Sequence, residues 1–362
     1  MKALVTAKFP EKYYDQLYEI VSEASFAGRG HTGYKLTAEE MIPAIGDAEL
    51  VIDGIEEING KVMDACKNLK IIVCCRNEAF ASIDIKAATE RGIPVISAVG
   101  RNAVSVAEFT MGLLLAVCKN ISNTDYLLRH TDKLAGKTYR DKPEHEKNPT
   151  GTTPPSFWST DPTGPSAIYG NYPELFGKKF GQIGYGSIGR EVAKRAQGFG
   201  MELLVCDPYQ DPDEIAKIGA TLVDLPTLMK ESDFISINCN VTPSTVNLVS
   251  REMLSLMKPT AYIVNTARAP IMDYDALCDM LEQKKIAGAA LDVFPQEPIA
   301  KGDRILSFEN VVLTPHLAGQ AREIGDHQVL IVMENLRMLL RGERPKTICN
   351  PEVLDSWFKK YP

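Results

Sequence analysis

A glycine-rich run between an apolar strand-like segment and a helix-like segment constrains the fold of this 362-residue chain most strongly. Gly184, Gly186 and Gly189 are spaced as Gly-x-Gly-x-x-Gly, and a helical segment follows directly. In such a turn the first glycine permits a tight bend, the second lets a pyrophosphate approach the backbone, and the third lets the helix pack closely on its strand. Glycine triplets also occur by chance in loops, so the neighbouring residues decide what this run means.

The strand-like segment that follows supplies that support. It ends in Asp207, at the spacing of roughly 20 residues at which an acid binds the ribose diol of a dinucleotide. A carboxylate accepts hydrogen bonds from ribose hydroxyls and repels a 2′-phosphate, and Pro208 and Tyr209 add no positive charge. The sequence therefore predicts a dinucleotide site that prefers NAD to NADP. A purely structural strand–helix turn is the alternative.

Short apolar runs alternate with helix-like segments on both sides of the glycine run. Four strands are predicted before residue 100, and six are predicted from residue 179 onward. Apolar strands separated by helices are typical of parallel sheets covered on both faces. The predicted fold class is therefore α/β, with two doubly wound parallel-sheet domains. One long helix is predicted from about 104 to 128 and a last helix from about 321 to 340.

Composition narrows the functional classes. The net charge of −7, without a local basic cluster, argues against a nucleic-acid partner, and Arg101 is interpreted as an isolated charge on a solvated surface. The longest apolar run, Met111 to Cys118, is far shorter than the ~20 residues needed to cross a bilayer. The eight cysteines show no metal-binding or disulfide spacing. We therefore expect no metal, no membrane partner and a reducing, cytoplasmic location.

A proline-rich stretch at about 141–172 interrupts the alternation. Prolines with glycine, serine and threonine exclude regular structure, but the stretch also contains aromatic residues that are too apolar for a simple linker. We expect a loop that docks either across a dimer interface or over a binding cleft.

Three ionisable residues each follow a predicted strand after the glycine run: Arg268, Glu297 and His316. Because the carboxyl ends of parallel strands share one edge, we expect all three at the edge that carries Gly186 and Asp207. A guanidinium holds a carboxylate through two hydrogen bonds, and an imidazole exchanges the proton that accompanies a hydride. A carboxylate beside the imidazole fixes its tautomer. The set suits reduction of a 2-keto acid by NADH and the reverse oxidation. The alternatives are an ion pair for Arg268, a turn position for Glu297 and a structural role for His316.

Together these motifs resemble the D-isomer-specific 2-hydroxyacid dehydrogenases, a family that includes the phosphoglycerate dehydrogenases. The resemblance rests on four ordered segments, at 184–189, 264–268, 291–298 and 315–319. It implies that Arg268 binds the substrate carboxylate, that His316 is the acid/base and that Glu297 is its partner. It further implies a homodimer, and a Rossmann cofactor domain at about 104–318 inserted into a flavodoxin-like substrate domain made of 1–103 and about 319–362.

The resemblance also implies a set of residues that contact the cofactor. These are Gly184, Gly186, Ser187, Ile188, Gly189, Asp207, Thr266, Ala267, Asp292 and Gly319. Asp292 is expected near the nicotinamide, with a helix cap as the alternative.

A second implied set binds the substrate: Arg76, Asn77, Glu78, Ala79 and Asn102, together with Arg268. The family usually has a glycine-containing turn at this place, whose backbone N–H groups bind the substrate carboxylate, but residues 76–84 contain no glycine. Glu78 would repel a second acidic group on the substrate, whereas Arg76 would attract one. The sequence therefore leaves the substrate side chain open.

Two functions fit this pattern. One is an NAD-dependent oxidoreductase that interconverts a 2-keto acid and a D-2-hydroxy acid. The other is an NADH-sensing, corepressor-like binding protein that keeps the same residues. Formate dehydrogenase fits less well, because that family pairs its histidine with a glutamine where this chain has Glu297.

Overall fold

The computed structural model of the protein describes residues 1–134 and 165–361. Met1–Asn102 and Gln320–Pro362 form a first compact unit, and Ala103–Gly319 form a second. Most of the proline-rich stretch predicted at 141–172 lies outside the described residues, which resume at residue 165.

The strands of both units are short and mostly buried. The described residues form β1 Lys2–Val5, β2 Glu23–Phe26, β3 Leu50–Asp53, β4 Ile71–Cys74, β5 Val95–Ser97, β6 Lys179–Ile183, β7 Glu202–Cys206, β8 Ala220–Leu222, β9 Phe234–Ile237, β10 Tyr262–Asn265, β11 Gly288–Leu291 and β12 Val311–Leu313.

The helices connect these strands. The described residues form α1 Tyr14–Tyr18, α2 Arg29–Thr32, α3 Ala38–Ile45, α4 Gly60–Ala65, α5 Ile85–Glu90, α6 Ala103–Cys118, α7 Ile121–His130, α8 Pro165–Tyr169, α9 Ser187–Gly198, α10 Pro212–Lys217, α11 Leu225–Glu231, α12 Arg251–Ser255, α13 Tyr274–Glu282, α14 Ile324–Leu340 and α15 Leu354–Lys360.

The first unit is built on a parallel sheet with the strand order β2-β1-β3-β4-β5. Successive residues of a strand point to opposite faces, so Val5 and Leu4 belong to two different apolar clusters. Helix α14 covers one face, where Val329 and Leu336 are fully buried against strand residues. This strand order is the flavodoxin-like arrangement.

The second unit contains a parallel sheet whose described strands follow the order β12-β11-β10-β9-β6-β7-β8. The order reverses direction at β6, the strand before the glycine run, which is the Rossmann arrangement. Apolar clusters again cover both faces. The predicted fold class is confirmed: the chain has two parallel-sheet α/β units, with the Rossmann unit inserted into the flavodoxin-like one.

Three details of the sequence-based fold prediction are wrong. The first sheet has five described strands where four were predicted, and the additional strand is β2 at its edge. The helix predicted at about 104–128 is two helices, α6 and α7, because Asn120 adopts a left-handed conformation with φ of 56°. The second sheet has seven described strands where six were predicted, and the additional strand is β8 at its edge. Among the described residues, no single helix has the length and apolar composition to span a membrane, and α6 and α7 reach both only as a pair bent by 63°.

Candidate active site

The glycine run connects β6 to α9. Gly184 has φ of 92°, and a Cβ there would lie 2.7 Å from the Cys239 nitrogen. A Cβ at Gly189 would lie 2.5 Å from the Gly184 carbonyl oxygen, so both positions require glycine. A Cβ at Gly186 would meet no heavy atom within 4 Å among the described residues. The N-terminus of α9 is therefore open on the side where a phosphate can approach its N–H groups.

Asp207 follows β7 and contacts the glycine run directly. Its carboxylate accepts a hydrogen bond from the Tyr185 backbone N–H at 2.7 Å and another from the Tyr209 N–H at 2.9 Å. These contacts fix the carboxylate beside the turn, and its remaining lone pairs can accept ribose hydroxyls.

Arg190 is a residue near this position whose role the sequence reasoning missed. Its guanidinium lies 4.7 Å from the Tyr185 ring centre and donates a hydrogen bond to the Gln210 side chain at 3.0 Å. The signal that could have identified it is its place directly after Gly189, in the first turn of α9. The environment of Asp207 therefore contains a positive charge that Pro208 and Tyr209 do not supply.

His316 and Glu297 form a close pair in the second unit. They follow β12 and β11, which are parallel neighbours, and the His316 Nδ1 atom lies 2.7 Å from a Glu297 carboxylate oxygen. The other Glu297 oxygen accepts a hydrogen bond from the Phe294 N–H at 3.1 Å. The side chains are 44% and 38% exposed, so the pair is accessible to a ligand. With Nδ1 facing the carboxylate, Nε2 is the ring nitrogen available for proton exchange.

Arg268 lies at the end of β10, the strand next to β11. Partial burial raises the pKa of Glu297, but the hydrogen bonds from His316 and Phe294 and the attraction of Arg268 together hold that pKa below its ordinary value. The carboxylate of Glu297 is therefore ionised at neutral pH. The structure thus brings the three predicted residues to one sheet edge.

Asn265 holds the turn that carries Arg268. It is fully buried, accepts a hydrogen bond from the Ala267 N–H at 3.0 Å and donates one to the Arg268 carbonyl at 3.2 Å. The neighbouring Thr266 is also buried, and its hydroxyl lies 2.8 Å from that of Thr110 in α6. The sequence analysis includes Asn265 only within the segment 264–268, whereas the structure gives it a clear role in shaping the loop.

The predicted substrate residues of the first unit follow β4 and β5. The Asn77 side chain accepts a hydrogen bond from the Gly100 N–H at 3.1 Å and donates one to the Asn102 side chain at 2.8 Å. Ala79 is buried at the start of a 3₁₀ turn, whereas Phe80 beside it is 73% exposed. Asn77, Glu78 and Phe80 are among the residues that line a pocket of about 380 Å³.

The interpretation of Arg101 as a charge on a solvated surface is wrong. Its Nε atom is buried without a described hydrogen-bond partner, and one terminal nitrogen donates to the Gln328 side chain at 3.0 Å. Burial, together with the nearby Arg76, lowers the pKa of Arg101. The sequence could not show this, because Gln328 belongs to α14, far along the chain.

Comparisons with known proteins support this description. Residues 160–318 match the family model described as D-isomer specific 2-hydroxyacid dehydrogenase, NAD binding domain. A glyoxylate reductase of Thermofilum pendens is 37% identical over 318 residues, which cover 87% of this chain and 85% of that protein. A D-3-phosphoglycerate dehydrogenase of Methanocaldococcus jannaschii is 35% identical over 97% of this chain, which spans only 59% of that protein.

The fold is likewise shared with solved structures. The TT0316 protein from Thermus thermophilus is 30% identical and superposes with a TM-score of 0.70, covering 96% of this chain and 100% of that one. The similarity therefore extends over both units and includes the segments that carry Gly184–Gly189, Arg268, Glu297 and His316. The chain belongs to the D-isomer specific 2-hydroxyacid dehydrogenase family and is an NAD-dependent oxidoreductase.

Proposed function

We propose that the protein interconverts a 2-keto acid and a D-2-hydroxy acid, with His316 as the acid/base, Glu297 as its partner and Arg268 as the ligand of the substrate carboxylate. The observation that carries this proposal is the 2.7 Å contact between His316 and Glu297, at the sheet edge that also presents Arg268. In reduction, Nε2 of the imidazolium donates a proton to the carbonyl oxygen. In oxidation, the same nitrogen removes the hydroxyl proton.

The glycine run and Asp207 of the second unit are suited to bind NAD. The open side of Gly186 suits a pyrophosphate, and the Asp207 carboxylate suits a ribose diol. When bound, NADH supplies the hydride for the carbonyl carbon. Arg268 holds the substrate carboxylate bidentately, which orients the adjacent carbonyl. The Glu297 carboxylate holds the imidazole through Nδ1, which leaves Nε2 for the proton transfer.

We assign substrate binding to the first unit, through the loop at Arg76 to Ala79 and through Asn102. The hydrogen bonds of Asn77 to Gly100 and Asn102 give this loop a defined shape. Two curated relatives are named for different substrates, glyoxylate and D-3-phosphoglycerate. Candidate substrates therefore include 2-keto acids with a second negative charge and 2-keto acids without one.

A direct assay tests the proposal. The protein is mixed with NADH and glyoxylate, pyruvate, oxaloacetate or phosphohydroxypyruvate, and the loss of reduced-nicotinamide absorbance is followed. We expect turnover of at least one of these acids. For the three acids other than glyoxylate, whose product glycolate is achiral, we expect formation of the D-isomer, which chiral chromatography of the product identifies. NADH binding without turnover of any 2-keto acid would contradict the proposal and favour a nucleotide-sensing role.

We also propose that the protein is a homodimer that associates through α7 and α8 of the second unit. Ile121, Tyr126 and Ile168 are each more than half exposed, and Asn120 holds the two helices together through the Tyr169 carbonyl at 3.0 Å. Exposed apolar groups on adjoining helices are typical of a protein interface. Light scattering should give twice the chain mass of 39.9 kDa. The Tyr126→Glu variant should give the single mass, whereas an unchanged mass would place the interface elsewhere.

A further inference from the structure

The fully buried carboxyl of Asp53, at the end of β3, connects three segments of the first unit. Its Oδ1 atom accepts hydrogen bonds from the Thr6 hydroxyl and from the Glu56 N–H, each at 3.1 Å. Its Oδ2 atom accepts one from the Ser82 hydroxyl, also at 3.1 Å. Thr6 directly follows β1, and Ser82 belongs to the loop after β4. One carboxyl therefore joins β1 and β3 to the loop that carries Arg76 to Ala79.

We name the loop at residues 76–84 the substrate loop, because it carries residues proposed to bind the substrate. Its backbone turns back at Ala79, whose carbonyl accepts a hydrogen bond from the Ser82 N–H at 3.1 Å. Ile58 pairs with the end of the loop, because it donates its N–H to the Ser82 carbonyl at 2.9 Å and accepts from the Asp84 N–H at 3.0 Å. The substrate loop is thus attached to its surroundings through the side chain of Ser82 and through the backbone of Ile58.

Glu56 is a second fully buried carboxyl, in the segment between Asp53 and Ile58. Its two oxygens accept hydrogen bonds from the Arg29 N–H at 2.8 Å and from the Ile55 N–H at 3.1 Å. Burial raises the pKa of Glu56, but these hydrogen bonds outweigh it and hold that pKa below its ordinary value. Within residues 1–134 and 165–361, neither buried carboxyl has an ion pair. Glu56 is therefore the ionised member of the two.

Asp53 is the member that changes its charge near neutral pH. Burial raises the pKa of Asp53 to about 8, and the negative charge of Glu56 adds to this effect. The titratable groups that β4 and its ends contribute nearby are the thiols of Cys74 and Cys75, beside which lie Arg76 and Arg101. Burial raises the pKa of both thiols, so they stay neutral. Above about pH 8 two buried like charges therefore face each other and repel.

We propose that Asp53 is a positioning residue for the substrate loop, whose neutral carboxyl holds Ser82 and thereby keeps Arg76 to Ala79 in the conformation that binds the 2-keto acid. This inference rests on the proposed binding of the substrate by that loop. When Asp53 ionises, the segment that carries Glu56 and Ile58 is displaced, because the end of β3 is held by its sheet. The substrate loop, which is paired with Ile58, loosens with it. The affinity for the 2-keto acid should therefore fall as the pH rises through about 8.

The Asp53→Asn variant of the full-length protein tests this inference, because its amide has the shape of the carboxylic acid and is neutral at every pH. At pH 7 we expect the KM of a 2-keto acid to lie within about twofold of the native value, whereas at pH 9 the native KM should exceed that of the variant by about 3–10-fold. The kcat and the Kd of NADH should differ by less than about twofold at either pH. Comparing the two proteins at one pH removes the titration of His316, which they share.

Hydrogen exchange of the substrate loop provides a measurement that does not depend on turnover. At pH 9 the N–H groups of Ser82 and Asp84 should exchange about 5–10-fold faster in the native protein than in Asp53→Asn, and at pH 7 the two proteins should exchange alike. Equal exchange at both pH values would overturn the inference. If the loop loosens as expected but no 2-keto acid is turned over, it is the proposed function that fails.

Ser82→Ala tests the contact itself, because it removes the hydroxyl and leaves both buried carboxyls in place. Its KM for the 2-keto acid at pH 7 should rise by about 3–10-fold without a change in kcat or in the Kd of NADH. Ser25→Ala is the matched control: this hydroxyl lies in β2 of the same unit and donates to the Ala3 carbonyl at 3.4 Å, so the KM should stay within about twofold. A native KM in Ser82→Ala would overturn the inference.

Discussion

The ionisable groups at the carboxyl ends of the two sheets differ in how they are paired within the protein. In the second unit, His316 is paired with Glu297, and Asp207 is held by two backbone N–H groups. In the first unit, no ion pair is described for Arg76, and Arg101 is bonded to an amide. The second unit therefore positions the residues proposed for catalysis through its own contacts, whereas in the first unit the charge of Arg76 is available to a ligand. We infer that the reaction type is fixed in one unit and the choice of substrate in the other.

The strongest test of this contrast is to remove the acid/base. A general acid/base typically contributes ~10²–10⁴ in rate, so His316→Ala should lower kcat by about that factor with NADH affinity intact. Steady-state kinetics and a fluorescence titration measure the two quantities. The Glu297→Gln variant should also lower kcat, but by a smaller factor, because the imidazole keeps its position and loses only the charge beside it. Unchanged turnover in His316→Ala would remove the residue from the mechanism.

A smaller effect is expected where the second unit selects its cofactor. Asp207→Ser removes the ribose acceptor and the repulsion of a 2′-phosphate, so the ratio of kcat/KM for NADPH to that for NADH should rise by about 10-fold or more. The double variant Asp207→Ser/Arg190→Gln is the control. It should lose most of this gain, because Arg190 lies near Asp207 and can pair with the phosphate. An unaltered ratio in the single variant would refute the ribose role.

In the first unit we expect effects that depend on the substrate. Arg76→Gln should raise KM about 3–10-fold for a 2-keto acid with a second negative charge, such as oxaloacetate, because an attractive charge is lost. Glu78→Gln, two residues away, should lower the same KM, because a repulsive charge is lost. Neither variant should alter kinetics with glyoxylate by more than about twofold. Equal changes in KM for singly and doubly charged acids would contradict the inference that the first unit determines the choice of substrate.

The smallest effect concerns stability rather than catalysis. Burial and the nearby charge of Glu56 raise the pKa of Asp53 to about 8. The folded protein therefore binds this proton more tightly than the unfolded chain, whose carboxyl titrates near about 4. The resulting stability is fully present below pH ~4 and is lost as the pH rises through about 8.

Asp53→Asn, which is neutral at every pH, should flatten this dependence. Thermal melts between pH 5 and 8.5 measure it, with an expected difference in Tm of about 2–4 °C between the variant and the native protein across that range. An identical pH dependence of Tm in both proteins would show that Asp53 does not titrate in this range.

Much of the fold was predictable because each local signal agreed with its neighbours. The spacing of Gly184, Gly186 and Gly189 fixed the Rossmann unit, and parallel strand ends brought Arg268, Glu297 and His316 to one edge. The errors have physical causes. β2 is a partly exposed strand at a sheet edge, and β8 has only three residues, also at an edge. Asn120 breaks a helix through a backbone conformation that composition does not reveal.

Several of the contacts that sequence reasoning missed join distant positions. The Asp292 carboxylate meets Leu317 and Ala318, which lie 25 and 26 residues later in the chain. The burial of Arg101 depends on Gln328, which is 227 residues away. Such contacts follow from how the elements pack, and a pattern read along the chain cannot indicate them.

The position of α14 sets the order in which the molecule can be completed during its synthesis. The ribosome makes β1 to β5 first, but one face of that sheet is covered by Val329, Val332 and Leu336, which follow the whole of the second unit. At roughly 5–20 residues per second, this interval is on the order of ten to forty seconds. For that time the nascent first sheet exposes an apolar face, and the inserted unit can finish folding before the one that encloses it.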